Sequence, residues 1–592
     1  MERPLKMDDS CTSKKTKTKR QTWSKPWDFV ISSAGMCIGL GNIWRFPYLC
    51  FKYGGGAFLI PYILAVVVLA IPLTILEVSL GQSVQKGVIA SWATIPIFKG
   101  ISLASGVSMF HSNMSYPVIL AWVFKYFVSS FTQNLPWMSC NNEWNTEHCI
   151  ELFYGGNGTA IKTLNNFNEI TPNTTNRSCA TVSMSAAEEF WNYGILGVSR
   201  GLHDIGGLQG DLAIYLAVIW ILGYLAIFQG IKWSAKVVYV TATLPVVLII
   251  IVTIRGATLE GASLGIDYYL RPELSKLQNP EVWIGATSQV FYSYALCGAG
   301  LITLGSYNKY NQNFIRDSIL IAFFNGFASF LCGFAVFSTL GSMAYFQNLT
   351  IQEVAQSGPG LVFIAYPQAL ALLPLPQFWN ILFFLTLLLL GFDSQFVYME
   401  SFCALFMDIN PRLRKCHKYS RQVFLAICCA GFCLLGMIFM TKGGVYVFEM
   451  FNMYGKAGWC LFFIAACEFI AIGWVYGADC HWKEINRMIG PRKIQPIVTV
   501  VWKYVGPILC LAMSIYYVTA HSPLSYGSYV YPVWAQVVCH LISTSSGIWI
   551  PLYVLYLLVT TKKPWSKLRR METNNKRENL SDSFKEEKLE MM

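Results

Sequence analysis

Runs of about 20 apolar residues recur along the whole chain, among them Ile60–Leu80, Leu212–Phe228, Val237–Thr253 and Ile319–Leu340. Each is long enough to cross the hydrocarbon core as a helix. In lipid the backbone must satisfy its own hydrogen bonds, so few other shapes are open to such runs. About twelve segments qualify: 27–50, 57–82, 98–128, 210–228, 235–255, 283–309, 317–344, 375–407, 421–440, 447–475, 498–519 and 533–560. Composition agrees, because 54% of the 592 residues are hydrophobic and only 13% are charged. Soluble proteins carry about 25% charged residues. The expectation is an all-α membrane protein. Residues 1–26 are polar and basic, so no cleavable signal peptide is expected.

Charge placement orients the spans. Lys14, Lys15, Lys17, Lys19, Arg20 and Lys25 precede the first span, and Lys562, Lys563, Lys567, Arg569 and Arg570 follow the last. Basic flanks mark the cytoplasmic side, so both ends are expected there, which requires an even number of spans. The chain then divides into a cytoplasmic segment 1–26, a twelve-helix domain 27–560 and a cytoplasmic tail 561–592. Segment 129–209 falls outside as a large loop with glycosylation-type sequons at Asn157, Asn173 and Asn176, and another outer loop supplies Asn348. Cys140 and Cys149 share this oxidising segment and can close a short disulfide loop, with Cys179 left over.

Seven histidines lie scattered without metal spacing, and neither a phosphate-binding loop nor a Gly-x-Ser-x-Gly motif occurs. An enzyme is not expected, and a channel, a gradient-driven carrier or a receptor remains. Three stretches discriminate. Gly35-Met36-Cys37-Ile38-Gly39-Leu40-Gly41-Asn42-Ile43-Trp44-Arg45-Phe46-Pro47-Tyr48 places glycines, an asparagine and an arginine inside the first span. Gln289-Val290-Phe291-Tyr292-Ser293-Tyr294-Ala295-Leu296-Cys297-Gly298-Ala299-Gly300 repeats the mixture five spans later. Interrupted helices at matching positions of two halves point to a repeat-built carrier with a midplane site. Leu390-Gly391-Phe392-Asp393-Ser394-Gln395 then sets a carboxylate deep in a span, where ionisable groups are costly and functional.

With these residues in view, the chain resembles the sodium- and chloride-dependent neurotransmitter transporter family over about residues 20–560. The run GLGNIWRFPY, the GSYN motif and the DSQF block carry the resemblance. Leu135-Pro136-Trp137, Trp144-Asn145-Thr146, Gly358-Pro359-Gly360-Leu361 and Tyr529-Val530-Tyr531-Pro532 make it most similar to the GABA, taurine, creatine and betaine branch. The resemblance implies a 5+5 inverted-repeat fold of twelve transmembrane helices, with helices 1 and 6 broken. It implies a plasma-membrane symporter that takes up a small zwitterionic solute with Na+ and Cl-, by alternating access, and a possible homo-oligomer.

It also implies site residues. One sodium ion would meet the Cys37 carbonyl, Asn42, Ser293 and Asn325, the solute carboxylate completing its shell. A second would meet the Gly35, Ile38 and Leu390 carbonyls with Asp393 and Ser394. Chloride would sit among Tyr62, Gln289, Ser293, Asn325 and Ser329. The solute carboxylate would meet amides near Leu40 and Gly41 and the Tyr116 hydroxyl, with Tyr292 as a lid, Ser293 and Tyr294 beside it, and Met36 and Tyr398 at its other end. Arg20 and Asp408 would close the inner side, and Arg45 the outer.

The chain departs from the family pattern at the outer gate, at the second break and in the solute pocket. The acid expected opposite Arg45 is Asn452, with Lys456 adding positive charge nearby, so a weaker outer gate or an anion-attracting vestibule is expected. Ala295-Leu296-Cys297 stands where Gly-x-Gly is usual, and Met36 and Tyr398 are bulky and uncharged. These departures leave a second class open, a ligand- or partner-binding relative that transports poorly.

Overall fold

The computed structural model describes residues 22–154, 160–164, 184–354, 360–371, 373–410, 419–455, 458–520, 523–527 and 529–560. It is predominantly helical. Eight helices are long and apolar enough to cross a membrane: Gly56–Val84, Gly210–Ile227, Trp233–Ala257, Phe314–Gln347, Pro376–Ile409, Ser420–Met440, Gly444–Ile489 and Gln495–Thr519. Two further pairs qualify only jointly, each bent by 50°: Pro26–Cys37 with Gly41–Lys52, and Val533–Gly547 with Trp549–Thr560. The first bend falls at the glycines singled out in the sequence. The second divides 533–560, which the sequence reads as one uninterrupted span. The segments expected at 98–128 and 283–309 fall outside these ten for physical reasons. Gly100–Ser129 is 30 residues long but carries buried Ser102, Ser105, Ser108, His111, Ser112, Asn113 and Ser115, and 283–309 is broken.

Seven elements build the centre of the molecule: α1 (Pro26–Cys37), α2 (Gly41–Lys52), α3 (Gly100–Ser129), α4 (Pro280–Ser293), α5 (Gly300–Gly305), α6 (Phe314–Gln347) and α7 (Pro376–Ile409). Their starts are legible. Pro26, Pro280 and Pro376 occupy first turns, where a missing N–H costs nothing and φ is preset. Asn279 caps α4 by accepting from the Glu281 N–H at 2.9 Å, the role expected of an N-cap asparagine. Around this centre, Gly210–Ile227, Trp233–Ala257 and Ser420–Met440 expose aliphatic side chains such as Ile214, Ile221, Val247, Ile254, Ile427 and Leu434. An apolar band on the rim with polar groups inside is the arrangement lipid demands.

Within 129–209, β1 (Cys149–Tyr154), β2 (Ala160–Leu164) and β3 (Met184–Ser185) form a small sheet in the order β2-β1-β3. Cys140 and Cys149 are disulfide-bonded at the head of β1, with Cα atoms 5.8 Å apart. Cys179, the sequons at Asn157, Asn173 and Asn176, Arg20 and Lys456 all lie outside the described residues. Asn348 lies within them, as the residue ending α6.

Candidate functional site

Between α1 and α2 the chain leaves the helix at Ile38, whose ψ of 84° ends the hydrogen-bond ladder. The glycines here are required by crowding. A Cβ on Gly39 would lie 2.7 Å from Ser394 Oγ and 3.2 Å from Tyr116 Oη, and one on Gly41 would lie 2.7 Å from the Tyr292 ring. On Gly35 it would come within 2.9 Å of Asp393 Oδ2. Three glycines thus let α7, Tyr116 and Tyr292 close directly onto the broken backbone.

The second break has another cause. Between α4 and α5, Ala295, Cys297 and Ala299 all take positive φ, at 48°, 60° and 63°. This is backbone geometry that glycine adopts freely and that costs other L-residues about 1 kcal/mol or more each. The departure from Gly-x-Gly therefore stiffens and strains the linker. Ala295→Gly is expected to raise the thermal midpoint of the purified protein by about 1–2 °C. A fall in midpoint on a thermal-shift assay in detergent would show that the left-handed geometry is not costly there.

Across the two breaks lies one hydrogen-bonded polar knot. Asn42 Nδ2 donates to Asn325 Oδ1 at 2.8 Å and to Ser329 Oγ at 3.0 Å. Ser293 Oγ donates to Asn42 Oδ1 at 3.0 Å, and Asn325 Nδ2 donates to Ser293 Oγ at 2.8 Å. The Tyr62 hydroxyl reaches Ser329 Oγ at 3.3 Å, and Gln289 Nε2 donates to the Gly41 carbonyl at 3.0 Å. All six side chains are buried. Residues assigned to two ions in the sequence thus occupy one site, with Asn325 and Ser293 common to both sets.

Asp393 sits beside it, 1% exposed. Its Oδ1 accepts from the Thr241 hydroxyl, while Oδ2 faces Gly35 and accepts no hydrogen bond among the described residues. Ser394 Oγ donates to the Met36 carbonyl at 3.0 Å. Leu390 is buried one turn before Asp393 on the same helix. This places a charged oxygen and a hydroxyl against the open end of α1, a hard-oxygen set suited to a small cation.

The aromatic residues close the centre. The Tyr116 hydroxyl lies with Ser394 Oγ against Gly39, and its ring packs edge-on to Tyr398 at 5.5 Å. Tyr292 lies over Gly41, and the Arg45 guanidinium lies 4.8 Å from its ring centre. Met36 is buried with its sulfur against Gly300. The Tyr294 hydroxyl donates to the Ala322 carbonyl at 2.9 Å, which ties its ring to α6.

Asp408, expected at the inner closure, packs so closely on Gly87 that any Cβ there would collide with its carboxylate. Its expected partner Arg20 lies outside the described residues. Sequence reading missed a separate fastening. Buried Trp23 donates from Nε1 to the Leu304 carbonyl at 3.1 Å and from its backbone N–H to the Tyr307 carbonyl at 3.0 Å. Tyr307 donates to Glu400 at 3.3 Å, and Glu400 pairs with Arg421 at 2.5 Å.

Two buried glutamates were also missed. Glu77 accepts the Cys297 N–H at 2.7 Å, holding the strained linker. Ligand-type atoms of Glu77, Cys297 and Glu468 lie within 4.8 Å of one another. Their signal was present as two acids inside apolar runs, but nothing in the spacing of 77 and 468 announced that they meet.

Interrupted helices meeting at a dry polar centre, inside a bundle with an apolar rim, define a multi-span membrane carrier rather than an enzyme. The chain belongs to the sodium:neurotransmitter symporter family, whose profile matches residues 20–561. It is 42% identical to GABA transporter 2 of Rattus norvegicus over 547 residues, covering 92% of this chain and 88% of that one. It is 43% identical to the taurine transporter of Canis lupus familiaris over 549 residues, 92% of this chain and 86% of that one. The Homo sapiens taurine transporter is similar at 42% identity over the same shares. All three carry "sodium- and chloride-dependent" in their names.

Proposed function

We propose that this protein is a plasma-membrane symporter that takes up a small zwitterionic solute of the GABA, taurine, creatine or betaine type together with Na+ and Cl-. The observation that carries the reading is the single knot of Asn42, Ser293 and Asn325 across two helix breaks, with the Asp393 carboxylate beside it.

In this reading Asn42, Ser293, Asn325 and the Cys37 carbonyl hold the first sodium ion, completed by the solute carboxylate. Asp393, Ser394 and the Gly35, Ile38 and Leu390 carbonyls hold the second. Tyr62, Gln289, Ser293, Asn325 and Ser329 hold chloride, which offsets the extra cation. The carboxylate lies between Tyr116 and the amides near Leu40 and Gly41, under the Tyr292 lid, with Met36 and Tyr398 shaping the far end. Solute and sodium affinities are then linked reciprocally, because one group belongs to both shells.

The topology consistent with this is twelve spans in a 5+5 inverted repeat. The ten candidate spans, with α3 and the interrupted pair α4–α5 added, make that number. Both termini then lie in the cytoplasm, segment 129–209 lies outside, and Asn157, Asn173, Asn176 and Asn348 are open to glycosylation.

One sodium ion crossing 100 mV supplies about 2.3 kcal/mol, enough for steep accumulation of solute. The test is radiolabelled uptake of GABA, taurine, creatine, betaine and neutral amino acids in cells, with ion replacement. The expected result is uptake of at least one solute that is abolished in choline medium and strongly reduced in gluconate medium. Robust uptake in choline medium would overturn the coupling. A solute that raises thermal stability but is never accumulated would favour the binding-protein alternative.

A further inference from the structure

Glu77 and Glu468 stand on different helices, Gly56–Val84 and Gly444–Ile489, and both are 0% exposed. They meet at the linker between α4 and α5, where Cys297 is equally buried. One Glu77 oxygen accepts the Cys297 N–H at 2.7 Å. Its other oxygen, and both oxygens of Glu468, accept no hydrogen bond among the described residues. Three carboxylate oxygens are thus shut away from water without a donor, in an apolar bundle where that is most costly. One ligand-type oxygen of each acid and the Cys297 Sγ all lie within 4.8 Å of one another.

A group of this kind can be settled by a proton shared between the acids or by a metal cation. A single shared proton pairs two oxygens, leaves the third unmet and makes no use of the sulfur. Cys297 also holds a φ of 60°, at a position that glycine would fill without strain. Its side chain is carried at a conformational cost, and strain of this kind collects where a side chain is used. Two carboxylates and a thiolate supply the three protein ligands that Zn2+ takes when a fourth position stays open to water. The thiolate favours such an ion over Mg2+ or Ca2+.

We propose that Glu77, Cys297 and Glu468 form a binding site for a thiophilic divalent cation of the Zn2+ type, which clamps the second linker to two neighbouring helices. On binding, the Cys297 thiol and any protonated carboxyl of the pair release their protons to solvent, and sulfur and oxygens bond to the metal. The clamp holds still the linker that alternating access must move, so the bound ion slows turnover. That consequence rests on the carrier reading, whereas the binding itself does not.

The test uses the purified full-length protein in chelator-cleared buffer, with Zn2+, Cd2+ or Mg2+ added alone. At saturation Zn2+ and Cd2+ are each expected to raise the thermal midpoint by about 2–4 °C, and Mg2+ by less than about 0.5 °C. Cys297→Gly removes the sulfur but suits the left-handed backbone and keeps the N–H that Glu77 accepts. Measured against their own metal-free midpoints, Cys297→Gly and Glu468→Gln are each expected to shift by less than about 1 °C with Zn2+. Cd2+ is expected to bring a thiolate-to-metal absorption in the parent that Cys297→Gly lacks. Should Glu468→Gln fail to fold, Cys297→Gly decides alone. A parent that Zn2+ and Cd2+ do not stabilise overturns the site and leaves the acids to a shared proton. A full Zn2+ shift in Cys297→Gly places the metal elsewhere and overturns it as well. In proteoliposomes with Zn2+ on both faces, uptake is expected to slow about fivefold in the parent and less than about twofold in Cys297→Gly. Undiminished uptake at saturating Zn2+ overturns the clamp. Absence of sodium-dependent uptake in the parent would sink the carrier reading, while the midpoints would still decide the metal site.

Discussion

Asp393→Asn is expected to reduce sodium-driven uptake about a hundredfold or more. The side chain keeps its size and can still accept from Thr241, so the folded centre loses little packing. What it loses is the one charged oxygen in the group, facing Gly35 at the open end of α1. Removing one partner of a buried charged group costs about 3–5 kcal/mol, and every 1.4 kcal/mol is about tenfold. Surface biotinylation must confirm normal delivery, and uptake must be measured across sodium concentrations. Uptake by the Asp393→Asn variant within about threefold of the parent at saturating sodium would remove Asp393 from any sodium shell.

Gly39→Ala is expected to lower uptake about ten- to a hundredfold, for a steric reason. Its Cβ would press Ser394 Oγ at 2.7 Å and Tyr116 Oη at 3.2 Å. Relief requires moving a hydroxyl that donates to the Met36 carbonyl, or pushing Tyr116 toward Tyr398. Overpacking of this kind costs about 1–3 kcal/mol, which is about ten- to a hundredfold in affinity. Gly223→Ala is the matched control, because nothing lies within 4 Å of the Cβ built there. Equal uptake by the two variants would show that the first break tolerates a side chain and that the crowding plays no part.

Much of this site was legible before any coordinates. Asn42, Asp393 and the glycines stood out because polar and helix-weakening residues are expensive in an apolar span, so sequence context alone marked them. The meeting of Asn42 with Ser293 and Asn325 came from the family resemblance, since no local pattern links residues so far apart in the chain. Other features were silent. Thr241 and Ser288 look like ordinary helix hydroxyls, and only tertiary packing brings them to Asp393 and Arg45. The bend between Gly547 and Trp549 had a signal in Ser543-Thr544-Ser545-Ser546 before Gly547 and Pro551 beyond it, but 533–560 reads as one span on its length and overall apolar character. The strain in the second linker could not be read either. Alanine and cysteine favour the ordinary helical region, and their left-handed geometry is imposed by what surrounds them.

The buried indole of Trp23 has a mechanical consequence. It fastens the chain to Leu304 and Tyr307 at the far end of the second interrupted helix, and Tyr307 connects onward through Glu400 to Arg421. The short stretch before it is rich in lysine, serine and threonine. A pull on the chain at Trp23 is therefore felt directly at Leu304 and Tyr307, the end of the second interrupted helix. The amino terminus is a handle as much as an end, and a reporter fused there reads the machine while also leaning on it.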